Sequence, residues 1–352
     1  MMPNNDQNAT HAGVDSVTTI GRSGMVRRFG YAIAVAICLA LLVRVLLANR
    51  ELLAKLLEQP LRWDFLLLAV GCVFINQAMT IVRWFLLIRA LQIPLRFWDA
   101  MGMGVIGELG HFLMPSSNGG DLLKMGMVFS RDLPKTQMLV STIVDRATGL
   151  YGLLICSGLA GAAYWPRADS QMARLIVCLW VLLAIALLCG LSFLHPRIVQ
   201  AINGIARRFS YIQPVMEQLE QAADAYRQRW HWVLSAIVIS MVSQSLTFSA
   251  IHLISKALTS QNRLEWGLTF IAAPLAMIST ALPIPFGAIG VGEQICEELF
   301  HSLGSAGGGL SFFVFRFALL TSSVLLGLIW VVARYVFNRR KKGKRLSLAS
   351  HD

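Results

Sequence analysis

Charge is what this chain has least of. Only 14% of its 352 residues are Asp, Glu, Lys or Arg, against about 25% in a soluble globular domain. Acidic residues are the scarcer sign, 19 against 31 Lys and Arg. The net charge of +12 invites a nucleic-acid partner. That class is excluded, because the basic residues flank apolar blocks and form no continuous basic face. Charge in that position sets orientation in a bilayer and holds anionic headgroups. Cysteine patterning is also missing. Cys38, Cys72, Cys156, Cys178 and Cys189 lie inside apolar blocks, and Cys296 follows a glycine-rich loop. With no CxxC pair and no Cys/His spacing of the metal-ligand kind, neither a disulfide framework nor a zinc site is expected. No Walker loop, nucleophile elbow or HExxH motif occurs. Hydrolysis of ATP, a catalytic residue, a metal and a cofactor are therefore not expected.

What the chain has instead is apolar sequence, 56% of the total. It comes in blocks, several of which reach the roughly 20 residues needed to cross a bilayer. Six strong spans are predicted: 29–48, 65–91, 137–163, 173–194, 232–257 and 311–337. Residues 1–24 are polar and aperiodic, which predicts a disordered tail. Arg22, Arg27 and Arg28 precede the first span, and Ala48-Asn49-Arg50 is a poor cleavage site, so a retained anchor is expected. A basic tail, 338–352, closes the chain.

Two segments are broken. Segment 97–131 starts apolar, reaches Pro115 and continues Ser116-Ser117-Asn118-Gly119-Gly120-Asp121. Segment 264–303 starts apolar, reaches Pro283 and continues through Pro285, Gly287, Gly290 and Gly292 to Glu293. Proline stops a helix and glycine permits the turn, so each segment is predicted to be a re-entrant hairpin. With a cytoplasmic N-terminus, and with charges near span ends counted on the adjoining face, cytoplasmic stretches hold 20 Lys/Arg and outer stretches 7, leaving Arg44, Arg83, Arg146 and Arg316 within spans. That asymmetry follows the positive-inside rule and predicts both termini in the cytoplasm. The expected fold class is an all-α polytopic membrane protein of six spans and two hairpins.

An internal repeat runs through it. Aligning Arg62–Leu91 on Arg229–Leu258 without gaps makes nine of thirty positions identical, including Arg62/Arg229, Trp63/Trp230 and Gln77/Gln244. The register continues with Trp98/Trp266, Pro115/Pro283, Asp121/Glu293, Ser141/Ser311 and Arg146/Arg316. Repeat one covers about 29–163 and repeat two about 173–337. Three crossings per unit turn the second copy upside down, a common transporter plan.

Ionisable residues at membrane depth are costly and mark candidate sites. The first hairpin holds Glu108, His111, Asn118, Asp121 and Lys124; the second holds Glu293, Glu297 and Glu298. Gly119, Gly120, Gly290 and Gly292 sit where a helix N-terminus would offer free N–H groups to an anion. Asp121 and Glu293 read equally as N-terminal capping residues. Asp145 and Arg146 lie within a span, and Arg146 with Arg316 would suit a phosphate in a common cavity. The alternative is that each arginine neutralises a hairpin carboxylate and braces the fold. Arg83 is expected to snorkel to the inner face and Arg44 to the outer. Gln77 and Gln244 are expected to bond between helices. In loop 197–230, Ile198, Ile202, Ile205 and Phe209 beside Arg207 and Arg208 predict an amphipathic surface helix.

Three strings carry a family resemblance: Gly107-Glu108-Leu109-Gly110-His111 through Gly119-Gly120-Asp121, then Asp145-Arg146-Ala147-Thr148-Gly149, then Pro283-Ile284-Pro285-Phe286-Gly287 through Gly290-Val291-Gly292-Glu293. Together they resemble the transmembrane flippase domain of lysylphosphatidylglycerol synthases and its stand-alone relatives, over about 29–337. His111 and Gly292 depart from the family pattern. The resemblance implies a carrier of an aminoacylated phospholipid, a polyprenyl-phosphate sugar or another lipid, in the cell (inner) membrane. No aminoacyl-transfer domain is expected, which argues against synthase activity. Two other readings stay open: a membrane-embedded enzyme acting on lipid phosphates, and a non-transporting partner of a lipid-modifying enzyme or glycosyltransferase.

Overall fold

The computed structural model describes residues 50, 61–113, 119–131, 133–195, 213–258, 264–281 and 290–349. Ten α-helices and one 3-10 turn fill them, with no strand among the described residues. In chain order they are α1 (Trp63–Ala90), α2 (Phe97–Leu113), α3 (Gly119–Phe129), α4 (Lys135–Tyr164) and α5 (Ser170–Leu194). Then come α6 (Gln213–Gln228), α7 (Trp230–Leu258), α8 (Trp266–Ala281), α9 (Val291–Ser302) and α10 (Gly308–Ala349).

Five helices are long and apolar enough to cross a bilayer: Trp63–Ala90, Lys135–Arg167, Ser170–Ser192, Trp230–Leu258 and Gly308–Val336. They agree with five predicted spans. The sixth, 29–48, lies outside the described residues, as do Arg44, the hairpin tips around Pro115, Asn118 and Pro283, and the stretch 197–212 of the expected surface helix. Local signals set the ends. Asp169 caps α5 by accepting from the N–H groups of Gln171 and Met172. Asp64 in the first turn of α1 and Arg89 in its last complement the helix dipole. Exposure is inverted relative to a soluble protein: α5 turns Val177, Val181, Ile185, Leu188 and Leu191 outward. Outward apolar side chains cost nothing when the surroundings are lipid tails, so association there depends on close packing and interhelical hydrogen bonds.

The two repeats meet through α1 and α7, which cross as an antiparallel pair. The start of α7 lies against the end of α1, where Arg229 Nη1 donates to the Ala90 carbonyl at 2.6 Å. Midway, the Ser243 hydroxyl bonds the Asn76 side chain. These two positions are each other's repeat equivalents, so a pseudo-two-fold axis passes between them. The glutamines obey the same axis. Gln77 Nε2 donates to the Leu319 carbonyl of α10 at 2.9 Å, and Gln244 Nε2 donates to the Gly149 carbonyl of α4 at 3.5 Å. Leu319 and Gly149 are equivalent in the register that pairs Arg146 with Arg316. The expected interhelical role of both glutamines is met, and the equivalent helices run in opposite directions.

The two short-helix pairs sit at opposite ends of the bundle. The base of α2/α3 lies where α10 leaves: Trp330 Nε1 donates to the Trp98 carbonyl at 3.0 Å, and Asp99 lies between Arg131 at 3.7 Å and Arg334 at 4.0 Å. This is the first end. The base of α8/α9 lies where α4 finishes: the Tyr164 hydroxyl donates to Glu265 at 2.9 Å. This is the second end. Each end has its own apolar core. Trp84, Leu87, Met103, Val128, Met138 and Tyr226 share one, and Val73, Leu154, Phe248, Ile271, Phe300 and Phe315 the other.

Candidate functional site

Asp121 and Glu293 occupy the same helical position. Each is the third residue of its helix, α3 or α9, directly after a buried glycine, Gly120 or Gly292. Each also takes an arginine from the long helix that follows it. Beyond that the two sites differ.

In repeat one, Arg146 bonds Asp121 at 2.8 Å and places Nη2 3.2 Å from His111 Nε2. Lys124, one turn after Asp121, lies 3.8 Å from its other oxygen. The lysine is buried. Its ammonium lies 5.2 Å from the Trp84 ring, which offsets part of the cost of leaving water. Glu108, one turn before His111, is half-buried and close enough to bear on that ring electrostatically. The cluster depends on a very close approach of α2 to α3. A Cβ on Gly120 would stand 2.2 Å from the Gly107 carbonyl oxygen, and one on Gly107 2.1 Å from Lys124 Cε. Gly119 is buried at the same joint. Arg146 itself is half-exposed, with a side chain 50% accessible. Its guanidinium has five N–H donors, and its two protein partners leave some of them for a ligand.

In repeat two the arrangement is closed. Arg316 Nε lies 2.7 Å from Glu293 Oε1, and the carboxylate is 1% exposed. Oε2 of the same carboxylate accepts the Gly290 N–H at 2.7 Å. Gly290 has φ of 88°, a conformation that favours glycine. Its N–H, expected to be free for an anion, is therefore spent on Glu293. The capping reading holds here, and the bracing reading of Arg316 holds with it. Glu297 is also structural, accepting the N–H groups of Gly307 at 3.2 Å and Gly309 at 2.7 Å at the start of α10.

Asp145 does not join Arg146. One residue along a helix turns the side chain away. Asp145 is held instead by Arg83, through Nε at 2.7 Å and Nη2 at 3.1 Å, while Arg83 Nη1 donates to Ser240 of α7 at 2.9 Å. Both charges are buried. The expectation that Arg83 snorkels to the surface is thus corrected: an opposite charge within reach makes burial cheaper than stretching to water. Tyr226 of α6 closes this site from the first end, bonding the Leu87 carbonyl at 3.3 Å. Burial and the nearby Asp145 charge push its phenol well above the ordinary value. The signal for this triad was in the sequence. Arg83 and Asp145 are opposite charges within apolar spans, and such residues almost always pair.

Among the described residues no group of three or more His, Cys, Asp and Glu is arranged to hold a metal ion. The chain matches one protein family, described as the lysylphosphatidylglycerol synthase TM region, over residues 29–327. Neither a curated protein nor a solved structure matches it. That match covers repeat one, nearly all of repeat two and all three motifs, so this multi-pass membrane protein belongs to the lysylphosphatidylglycerol synthase transmembrane-region family.

Proposed function

We propose that the protein is a transbilayer carrier for an anionic or lipid-linked headgroup, such as that of an aminoacylated phospholipid or a polyprenyl-phosphate sugar. The observation that carries this reading is the half-exposed Arg146, held beside Asp121, His111 and Lys124 at the junction of two short helices. A phosphate oxygen in that place meets arginine donors and a second positive charge. The tails of the lipid need no protein, because they stay in the hydrocarbon while the headgroup passes along a polar groove. Transport without ATP is downhill or driven by another gradient.

The topology that goes with this function has six spans, two re-entrant hairpins, and both termini in the cytoplasm of the cell membrane. The first end of the bundle then faces the cytoplasm. It is supported by the charge asymmetry of the loops and by the opposed bases of α2/α3 and α8/α9. Alternating access is a rocking of one repeat against the other about the α1/α7 crossing. Arg146, Asp121, Arg316 and Glu293 share the path in this reading, with the open Arg146 pair receiving the headgroup and the closed Arg316 pair part of the wall.

The test is a leaflet-resolved lipid analysis of cells lacking the gene and complemented with wild type or Arg146→Ala. One lipid class should accumulate in the inner leaflet of the deletion, return to balance with wild type, and stay displaced with the variant at equal protein level. Chemical conversion of a lipid by purified protein in detergent, where crossing has no meaning, would replace the carrier by a lipid-phosphate enzyme.

A further inference from the structure

The two ends of the bundle are built on equivalent positions but are not equally fastened. At the first end, two hydrogen bonds join α1 of repeat one to α7 of repeat two. Arg83 Nη1 of α1 donates to Ser240 Oγ of α7 at 2.9 Å, and Arg229 Nη1 of α7 donates to the Ala90 carbonyl of α1 at 2.6 Å. The repeat register names their counterparts at the second end. Arg83, Asp145 and Ser240 become Ala250, Phe315 and Val73, all buried in one apolar core. Arg229 becomes Arg62, which turns to its own neighbour Asp64 at 3.2 Å and lies over the Phe65 ring instead of reaching the Ala257 carbonyl. Both of these α1–α7 bonds are therefore replaced at the second end, where an exposed bond from the Tyr164 hydroxyl to Glu265 at 2.9 Å crosses the repeats instead.

We propose that Arg83, Asp145, Ser240 and Arg229 form a latch that holds the first end of the bundle closed, so that the resting state opens at the second end. This rests on the carrier reading for its purpose, but not for its geometry.

The chemistry suits release. The strong part, the two-pronged Arg83–Asp145 pair, lies wholly inside repeat one, between α1 and α4. It moves with that repeat and keeps both charges paired. The part of this triad that crosses the repeats is a single bond to a hydroxyl, and the Arg229 bond beside it ends on a carbonyl. When it parts, Ser240 still donates to the Ala236 carbonyl at 2.8 Å, so neither side is left without a partner. A direct Arg–carboxylate pair across the same boundary would strand two buried charges on opening. The close fit of α4 fixes the geometry: a Cβ on Gly152 would stand 2.5 Å from Ser240 Cβ, and one on Gly149 3.2 Å from Arg83 Nη1. α6 adds a cover, since Tyr226 bonds the Leu87 carbonyl and Arg229 follows directly from that helix.

The full-length protein in lipid nanodiscs, with no added substrate, tests this by hydrogen–deuterium exchange. The variants are Ser240→Ala, Arg229→Ala and their combination. Deuterium uptake should rise in peptides covering 83–95 and 229–243, by about tenfold in rate for the combined variant, because a hydrogen bond to a charged group is worth at least that in an equilibrium constant. Peptides covering 62–76 and 250–258 should not change. The paired variant Arg83→Ala/Asp145→Ala, which leaves no buried charge alone, should reproduce the pattern if Arg229→Ala folds poorly. Unchanged uptake at the first end overturns the latch. So does an equal rise at both ends, which would mark these bonds as ordinary packing. Exchange is read without transport, so a failure to move any lipid would count against the carrier reading and leave the latch result standing.

Discussion

Where α1 finishes and where α7 finishes, equivalent positions face the α1/α7 crossing, yet the buried ones are polar and bonded at the first end and apolar at the second. Arg83, Asp145 and Ser240 on one side answer to Ala250, Phe315 and Val73 on the other. The hairpin sites differ in the opposite sense. Asp121 and Arg146 remain partly open, while Glu293 and Arg316 are shut. The two sequence repeats thus share their helix packing and their carboxylate–arginine pairs, and differ at the buried positions of the α1/α7 crossing and in which arginine is accessible. Packing has to be repeated for the two halves to fit around one axis. A binding site needs only one accessible copy at a time.

The largest expected effects come from breaking the buried pair at the first end. Arg83→Ala alone should lower stability by about 3–5 kcal/mol, because Asp145 is left charged and buried. Arg83→Ala/Asp145→Phe, which imports the apolar solution of repeat two, should recover most of that loss. A double-mutant thermal-denaturation series measures both. A recovery of less than half would mean that the two ends are not interchangeable in packing.

The two hairpin arginines should separate next. Arg316→Ala strands Glu293, which is 1% exposed, and should cost several kcal/mol. Arg146→Ala leaves Asp121 with Lys124 nearby and some access to solvent, so the stability loss should stay under about 1 kcal/mol while lipid movement is lost. Unfolding temperature measured beside a leaflet assay sorts the two. Equal destabilisation would make Arg146 a brace as well.

Gly120→Ala should follow, at about 1–3 kcal/mol, because its Cβ would press on the Gly107 carbonyl, which is backbone and cannot swing aside. Gly107→Ala presses only on the flexible Lys124 chain and should cost less in stability. Its effect should fall on the lysine's position, seen as weaker headgroup binding. The smallest difference is expected at the axis. Gln77→Ala removes two bonds of 2.9 Å, to the Leu319 carbonyl and to Ser323, whereas Gln244→Ala removes one of 3.5 Å. Interhelical bonds in membranes average about 0.6 kcal/mol, so Gln77→Ala should be the costlier of the two by roughly that amount.

The five long helices were legible in the sequence because membrane spans need long apolar runs, and the repeat because Arg-Trp and a mid-span glutamine are uncommon enough to align. The axis through Asn76 and Ser243 was not, since an Asn facing a Ser gives no identity to count. The pairing of Arg146 with Asp121 and of Arg316 with Glu293 was readable as an alternative. Which pair stayed open depends on burial, and burial depends on how α2 packs on α3 through glycines, which have no side chain to announce a contact. Arg83 was misjudged because its partner Asp145 is 62 residues away in another span, and the sequence names no contact between the two.

The most direct test of the carrier reading is reconstitution. Purified wild type and Arg146→Ala, matched for stability and amount, are placed in vesicles of the host's own lipid extract. The outer leaflet is tagged over time with membrane-impermeant headgroup reagents and read by mass spectrometry. One phosphate-bearing lipid class should become fully accessible to the reagent with wild type, and only about half accessible with Arg146→Ala or in empty vesicles. Identical accessibility of every lipid in all three preparations would contradict the account.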